Sequence, residues 1–397
     1  MLQKAAAIYD LTGRKKRLRW IALLLAVCLS VPISVAKAEP EQPAVSMEDA
    51  SGALLVEAST QQPLLESNAD TPQSVAGLVK LPAILVLCEA VDSGALDLTS
   101  NLMISDKAAS IGGPTAFIEA GETISAAPLM KAAIMISAGD AILALGEAAF
   151  GTETAFAERI RERFSELGID AAFDNALGTG ARLSPRQLAI LGAALMKSPC
   201  FTAHSKLTLE GISHQDGRET ELVNANRMLR TYAGCVGVAT GSSAEDGYCG
   251  VFYVIRGDTH LICVTLGCRN ANTRFALAGN MLDQIFATKK AQCLANAGDV
   301  IAESVRVQGG SRREVNLVAK DTVVLLLDKS EPALTAVENI PDRLEAPLST
   351  GDVVGNVSYQ TADGVEKGKV ELVPQADVDQ AFMRDIIRRV LLGFLRQ

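Results

Sequence analysis

Gly250-Val251-Phe252-Tyr253-Val254-Ile255, a Gly257-Asp258 turn, and then Leu261-Ile262-Cys263-Val264-Thr265-Leu266 form two runs rich in β-branched and aromatic residues. This pattern reads as a β-hairpin. An apolar helix follows over Arg274 to Ile285. At the other end, Val45 to Val56, broken at Gly52, reads as an edge strand pair. Between the two ends the periodicity is helical over Leu78 to Val91, Ala126 to Phe150 and Thr154 to Leu167. The last of these sets Phe156, Ile160, Phe164 and Leu167 on one face. Ser184-Pro185 is an N-cap signature for a further helix through Leu195. Strands at both ends with helices between predict an α+β domain, an antiparallel sheet closed by the final helix.

The charge is unevenly spread. Residues 1–38 carry seven Lys/Arg against one acid, so a chain of net charge -9 has a body, residues 39–397, of charge -15. An acidic body argues against a nucleic-acid partner. The basic run Arg14-Lys15-Lys16-Arg17, the apolar stretch Ile21 to Val31 and the small residues Ala36 and Ala38 have the layout of an export signal cut before Glu39. The apolar stretch is too short to span a bilayer, which takes roughly 20 helical residues. The body keeps seven cysteines, an odd number. Cys235 with Cys249, or Cys263 with Cys268, can pair, and the sequence does not decide between paired and free thiols. His204, His214 and His260 lack metal-ligand spacing, so neither a metal nor any other cofactor is expected.

From about Gln292 the texture changes to short alternating runs: Val305 to Val307, Val315 to Val318, Thr322 to Leu327 and Val353 to Tyr359, with turns at Gly309-Gly310 and Gly351-Asp352. These predict a small β-sandwich. From Asp377, the residues Phe382, Met383, Ile386, Ile387, Val390, Leu391, Phe394 and Leu395 make one wide apolar stripe opposite Arg384, Arg388, Arg389 and Arg396. Such a basic amphipathic helix suits an anionic membrane surface. The expected organisation is a signal peptide (1–38), an α+β domain (39–290), a small β domain (291–375) and a membrane-associating helix (376–397).

With this layout, several local motifs resemble those of the low-molecular-mass penicillin-binding proteins, the serine-type D-Ala-D-Ala carboxypeptidases. Val75-Ala76-Gly77-Leu78-Val79-Lys80 lies where that family carries Pro-Ala-Ser-x-x-Lys, and Gly94-Ala95-Leu96-Asp97-Leu98 matches its Gly-x-Leu-Asp-Leu segment. Ser137-Ala138-Gly139-Asp140-Ala141 lies at its Ser-x-Asn-Asp-Ala. Gly237-Val238-Ala239-Thr240-Gly241, followed by Gly247-Tyr248-Cys249, lies at its Gly-x-Lys-Thr-Gly and Gly-Tyr-Cys. The resemblance implies a β-lactamase/transpeptidase-like domain with a helical subdomain. It also implies a peptidoglycan stem peptide as partner and an extracytoplasmic location.

In that family a serine hydroxyl, activated by the lysine one turn later, forms an acyl-enzyme. This sequence departs from the pattern at one position in each motif. Gly77 stands at the nucleophile position, Gly139 at the second-motif asparagine and Ala239 at the carboxylate-binding lysine, while Lys80, Ser137, Thr240 and Gly241 keep the family's residue types. Loss of a nucleophile or its base costs about 10⁴ to 10⁶ in rate. Ser74, six residues before Lys80, would stand about 9 Å away along a helix and is no substitute. Pro82 is compatible only with a helix that starts near Leu78 or later. The expectation is a catalytically silent carboxypeptidase homologue that binds or regulates at the cell wall. A working carboxypeptidase and a purely structural envelope protein are the alternatives.

Overall fold

A computed structural model describes residues 45–381. The expected signal segment and most of the terminal amphipathic helix lie outside the described residues. In chain order the first part holds β1 (Gly52–Glu57), β2 (Pro63–Ser67), α1 (Leu81–Asp92), β3 (Asn101–Met103), α2 (Asp106–Ala109) and β4 (Thr123–Ser125). It continues with α3 (Ala126–Ile136), α4 (Gly139–Phe150), α5 (Glu153–Glu166), α6 (Pro185–Lys197), α7 (Pro199–His204), β5 (Leu209–Ser213) and β6 (Glu219–Val223). After α8 (Met228–Thr231) come β7 (Cys235–Ser243), β8 (Gly247–Arg256), β9 (Thr259–Cys268) and α9 (Ala271–Thr288).

The quoted hairpin is β8–β9, the centre of a five-stranded antiparallel sheet ordered β2-β1-β9-β8-β7. Side chains alternate across it with the two-residue period of a strand. Leu54, Val56, Ile262, Val264 and Leu266 enter one core with α1, α3, α4, α5 and α6. Ala53, Leu55, Leu261, Cys263, Phe252 and Val254 face α9 through Leu277, Met281 and Leu282. Both faces are therefore covered, which is why all six residues of β1 are buried. Helix α6 starts as the sequence predicts, on a capping box: Ser184 Oγ accepts from Gln187 N, and Gln187 Oε1 accepts from Ser184 N.

Two expectations change, and the open question of the cysteines is answered. The apolar run Ala126 to Phe150 is two helices, because Ser137 adopts the left-handed conformation (φ 53°, ψ 44°) and ends α3. Val45 to Val56 is a 3₁₀ turn, Met47–Asp49, followed by one strand, which pairs with the overlooked β2 on one side and with β9 on the other. All seven cysteines among the described residues are free thiols, with Cys293 alone exposed, so neither suggested pair is bonded.

Beyond α9, strands β10 (Lys289–Ala295), β11 (Val300–Gln308), β12 (Glu314–Ala319) and β13 (Val323–Asp328) are followed by β14 (Thr335–Asn339), β15 (Arg343–Glu345), β16 (Gly355–Gln360) and β17 (Glu366–Pro374). They form a six-stranded sheet, β14-β16-β17-β12-β11-β15, and a two-stranded ladder, β10-β13. A core of Val315, Leu317, Val357, Val370 and Leu372 lies between them. Residues 377–381 are not the beginning of a helix as expected. They run extended along this module, with Val378 bridging Leu348. No helix among the described residues is long and apolar enough to cross a membrane.

Candidate active site

The site forms where the chain enters α1. Residues Ala76–Lys80 make a 3₁₀ turn and the α-helix proper begins at Leu81, which places Pro82 in the first turn. There its missing N–H has no intrahelical partner to lose. Fully buried Leu78 and Leu81 anchor the turn. Ala76 takes a left-handed φ of 50°, and its N–H donates to Asp246 Oδ2 at 3.1 Å, from the turn joining β7 and β8. That grip lays Gly77 against Gly241 of β7. A Cβ on Gly241 would sit 2.7 Å from Gly77 N, so this approach of two backbones requires glycine at 241. A Cβ on Gly77 would meet nothing nearer than Gly241 Cα at 3.8 Å, which is ordinary contact.

Lys80, one turn on, is 9 % exposed and donates from Nζ to the backbone carbonyl of Ser137 at 3.0 Å. The left-handed turn at Ser137 is what presents this carbonyl between α3 and α4. Gly139 opens α4 against the same amine: a Cβ there would lie 3.2 Å from Lys80 Nζ but 2.7 Å from Ile111 Cγ2 and 3.6 Å from Leu177 Cδ1. Burial pushes the Lys80 amine below its ordinary pKa, and the nearby Asp140 carboxylate works in the opposite direction. Asp140 is itself 1 % exposed and accepts from Ala116 N at 2.8 Å and Ala141 N at 2.7 Å.

Strand β7 carries the third set of positions: Ala239 opposite Val251, Thr240 opposite Gly250 and Gly241 opposite Cys249. It is the end strand of its sheet, so among the described residues it pairs only to β8 and its outer edge has no strand partner. Buried Arg274 of α9 donates from Nη1 to the carbonyls of Gly241 at 3.1 Å and Cys249 at 3.0 Å. Desolvation lowers its pKa to about 10.

The seven positions singled out in the sequence thus meet in two contacts, Gly77 on Gly241 and Lys80 on Ser137 and Gly139, with Ala239 and Thr240 leading into the first. Ser74 lies in a loop and is exposed. Asp140 was signalled by its place in the second motif. Asp246, Arg274 and Ile111 had no sequence signal, because each reaches the site from a distant part of the chain. The arrangement offers a buried amine, a free strand edge and, at position 77, backbone without a side-chain oxygen. A cavity of about 420 Å³ elsewhere on the molecule, lined by Glu89, Asp92, Arg163 and Ser198 among others, contains none of these positions.

The family model for D-alanyl-D-alanine carboxypeptidase, peptidase S11, matches residues 36–270. The chain belongs to the D-alanyl-D-alanine carboxypeptidase family. The C-terminal domain model of penicillin-binding protein 5 matches residues 290–380. The chain is similar to D-alanyl-D-alanine carboxypeptidase DacF of Bacillus subtilis, 25% identical over 95% of this chain and 98% of the relative. It is likewise similar to DacA of Escherichia coli, 25% identical over 94% and 96%. Among solved structures, penicillin binding protein 5 from Haemophilus influenzae superposes with a TM-score of 0.73 at 24% identity, covering 85% of this chain and 99% of that one. A peptidoglycan synthesis regulatory factor, PBP3 from Streptococcus pneumoniae, gives 0.63 at 24%, covering 83% and 99%. The carboxypeptidase-family fold, an α+β domain followed by an all-β module, is the fold described above, and the family places the protein in peptidoglycan metabolism.

Proposed function

We propose that this carboxypeptidase-family protein is catalytically silent and acts in the cell-wall space as a binding or regulatory module for peptidoglycan stem peptides. The observation that carries the proposal is Gly77, which has no oxygen to be acylated at the position where the family forms its acyl-enzyme. The packing around Gly139 supports it, since Ile111 Cγ2 stands 2.7 Å from where any side chain at 139 would begin. An amide side chain for the substrate and leaving group has no room there without displacing Ile111. At position 239 an alanine replaces the cation that would draw in the peptide's terminal carboxylate.

What remains suits binding. The outer edge of β7 can pair with an extended peptide backbone by strand addition. The expected organisation belongs to the same reading: export by residues 1–38, a carboxypeptidase-like domain over 39–290, a β module over 291–375, and attachment to an anionic membrane surface through the basic helix near the C-terminus. Two measurements test it. Fluorescent penicillin should leave the purified protein unlabelled, and a covalent adduct would restore the reading of a working carboxypeptidase. A peptide ending in D-Ala-D-Ala should bind saturably and without turnover. No affinity at all would leave the protein a purely structural one.

A further inference from the structure

A cluster of titratable side chains outside the site lies at the opposite end of α1. Cys88 is fully buried on that helix, and Cys200 is 6 % exposed in the first turn of α7. The two helices are bound together at this point: Asp92, one turn after Cys88, accepts from Cys200 N at 2.8 Å and from Ser198 Oγ at 2.5 Å. Cys88 sits one turn before Asp92 on the face of α1 that meets Cys200, and His204, one turn along α7, donates from Nδ1 to the Cys200 carbonyl at 2.8 Å. We propose that Cys88 and Cys200 are a dithiol site that closes to a disulfide by exchange with an external disulfide, stapling α1 to α7.

The chemistry is balanced without any group beyond that oxidant. Cys200 is the attacking sulfur: the neighbouring Cys88, then His204, lower its pKa below the ordinary thiol range, whereas the neighbouring Cys200 and burial raise that of Cys88. The Cys200 thiolate attacks one sulfur of RSSR, forming a mixed disulfide and releasing RS⁻. That thiolate takes up a proton, Cys88 gives up its own and attacks Cys200 Sγ, and the second RS⁻ leaves. Two protein thiols are oxidised and one RSSR is reduced to two RSH. The other buried thiols contrast with this pair. Burial raises Cys263 and Cys268, and no hydrogen bond from a cationic group activates either. The bond would close a loop spanning residues 88 to 200 and tie α1, which begins just after Lys80, to α7. The proposal is independent of catalytic silence.

The test uses the full chain, reduced and then exposed while folded to bis(2-hydroxyethyl) disulfide. Free thiols are then alkylated in denaturant and the chain is mapped by mass spectrometry. The expected product is a single Cys88–Cys200 link, with the unfolding midpoint raised by about 5–15 °C and returned by dithiothreitol. Cys200→Ser should remove both the link and the rise, and Cys88→Ala should stop at one mixed disulfide on Cys200. Circular dichroism of each variant before oxidation shows that it is folded. The proposal is overturned if the folded chain keeps both thiols alkylatable, or if another pair such as Cys249 and Cys268 links in preference.

Discussion

On the proposed reading, two glycines, Gly77 and Gly139, stand where the family's chemistry needs side chains, and the structure treats them oppositely. At Gly77 a new Cβ would find its nearest neighbour 3.8 Å away, and the backbone is not left-handed. Gly77→Ser should therefore be neutral or stabilise by about 0.4–1 kcal/mol through a less flexible unfolded chain. At Gly139 the Cβ would start 2.7 Å from Ile111 Cγ2, inside any real carbon–carbon contact. That methyl sits on a branched carbon and cannot swing away as a long side chain could. Overpacking of this kind costs about 1–3 kcal/mol, against a gain of about 0.5 kcal/mol from losing a glycine, so Gly139→Asn should lose about 0.5–2.5 kcal/mol. Ile111 is half-buried, and Ile111→Ala alone should cost about 1–2 kcal/mol. If the clash is the cause, the double variant Gly139→Asn/Ile111→Ala should be more stable than the sum of the two by about 1–2 kcal/mol. Urea unfolding followed by far-ultraviolet circular dichroism measures all four corners of the cycle. Equal stability of Gly77→Ser and Gly139→Asn, or strict additivity with Ile111→Ala, would refute the reasoning.

Four further outcomes are expected. Gly77→Ser alone should be labelled by fluorescent penicillin at least about 10³-fold more slowly than Gly77→Ser/Gly139→Asn/Ala239→Lys/Ile111→Ala, because orientation and charge stabilisation are still missing; gel fluorescence over time gives the ratio. Lys80 has a depressed pKa, so between its folded value and its unfolded value near 10.5 the unfolded chain binds more protons and stability rises with pH. In Lys80→Met that part of the alkaline slope should vanish from unfolding curves. Burial works against ionisation of Glu122, but hydrogen bonds from Glu119 N, His214 and Gln215 N outweigh it and hold the carboxyl below 4.5. Its contribution is present above pH 4.5 and lost as pH falls through the folded value, so Glu122→Gln should flatten the acid limb and speed hydrogen exchange across the β5–β6 hairpin. Gly178→Ala should unfold at a markedly lower temperature, since φ is +77° and a Cβ would fall 2.3 Å from the Val79 carbonyl oxygen.

How much of this was legible in the sequence follows from where each signal resides. Helices α5, α6 and α9 could be read because one buried face imposes its period on a single continuous stretch, and the β8–β9 hairpin because strands covered on both faces are unbroken apolar, β-branched runs flanking a turn. The break at Ser137 could not, since the residues on both sides are apolar and only a left-handed φ separates them. Strand β14 is exposed throughout and β17 begins Glu366-Lys367-Gly368-Lys369, so neither shows the alternation that marks a half-buried strand. At the site, the resemblance brought Gly77, Lys80, Ser137, Gly139 and Gly241 to attention, and they do converge. Asp246 holds Ala76 from 170 residues away and Ile111 closes the space at 139 from a loop, contacts that no local pattern encodes.

The persistence of Lys80 beside a glycine raises the question of what holds a buried ammonium in place once its serine partner is gone. Burying an ammonium costs free energy unless it is paired and hydrogen-bonded. Here it is both. Its Nζ satisfies the Ser137 carbonyl that the α3–α4 break leaves without a helical partner, and its charge faces Asp140, which in turn holds Ala116 N at the loop covering α4. Removing the amine would leave a buried carbonyl and a buried carboxylate with one fewer partner each, a loss of about 1–3 kcal/mol for the carbonyl alone. The serine hydroxyl has no comparable duty, since at position 77 the contacts to Gly241 are made by backbone. The lysine is therefore kept by the fold whether or not the site reacts, whereas the nucleophile is kept only by the reaction. On the proposed reading, a lysine held by the fold beside a glycine is the pattern expected if catalysis is lost and the framework is not.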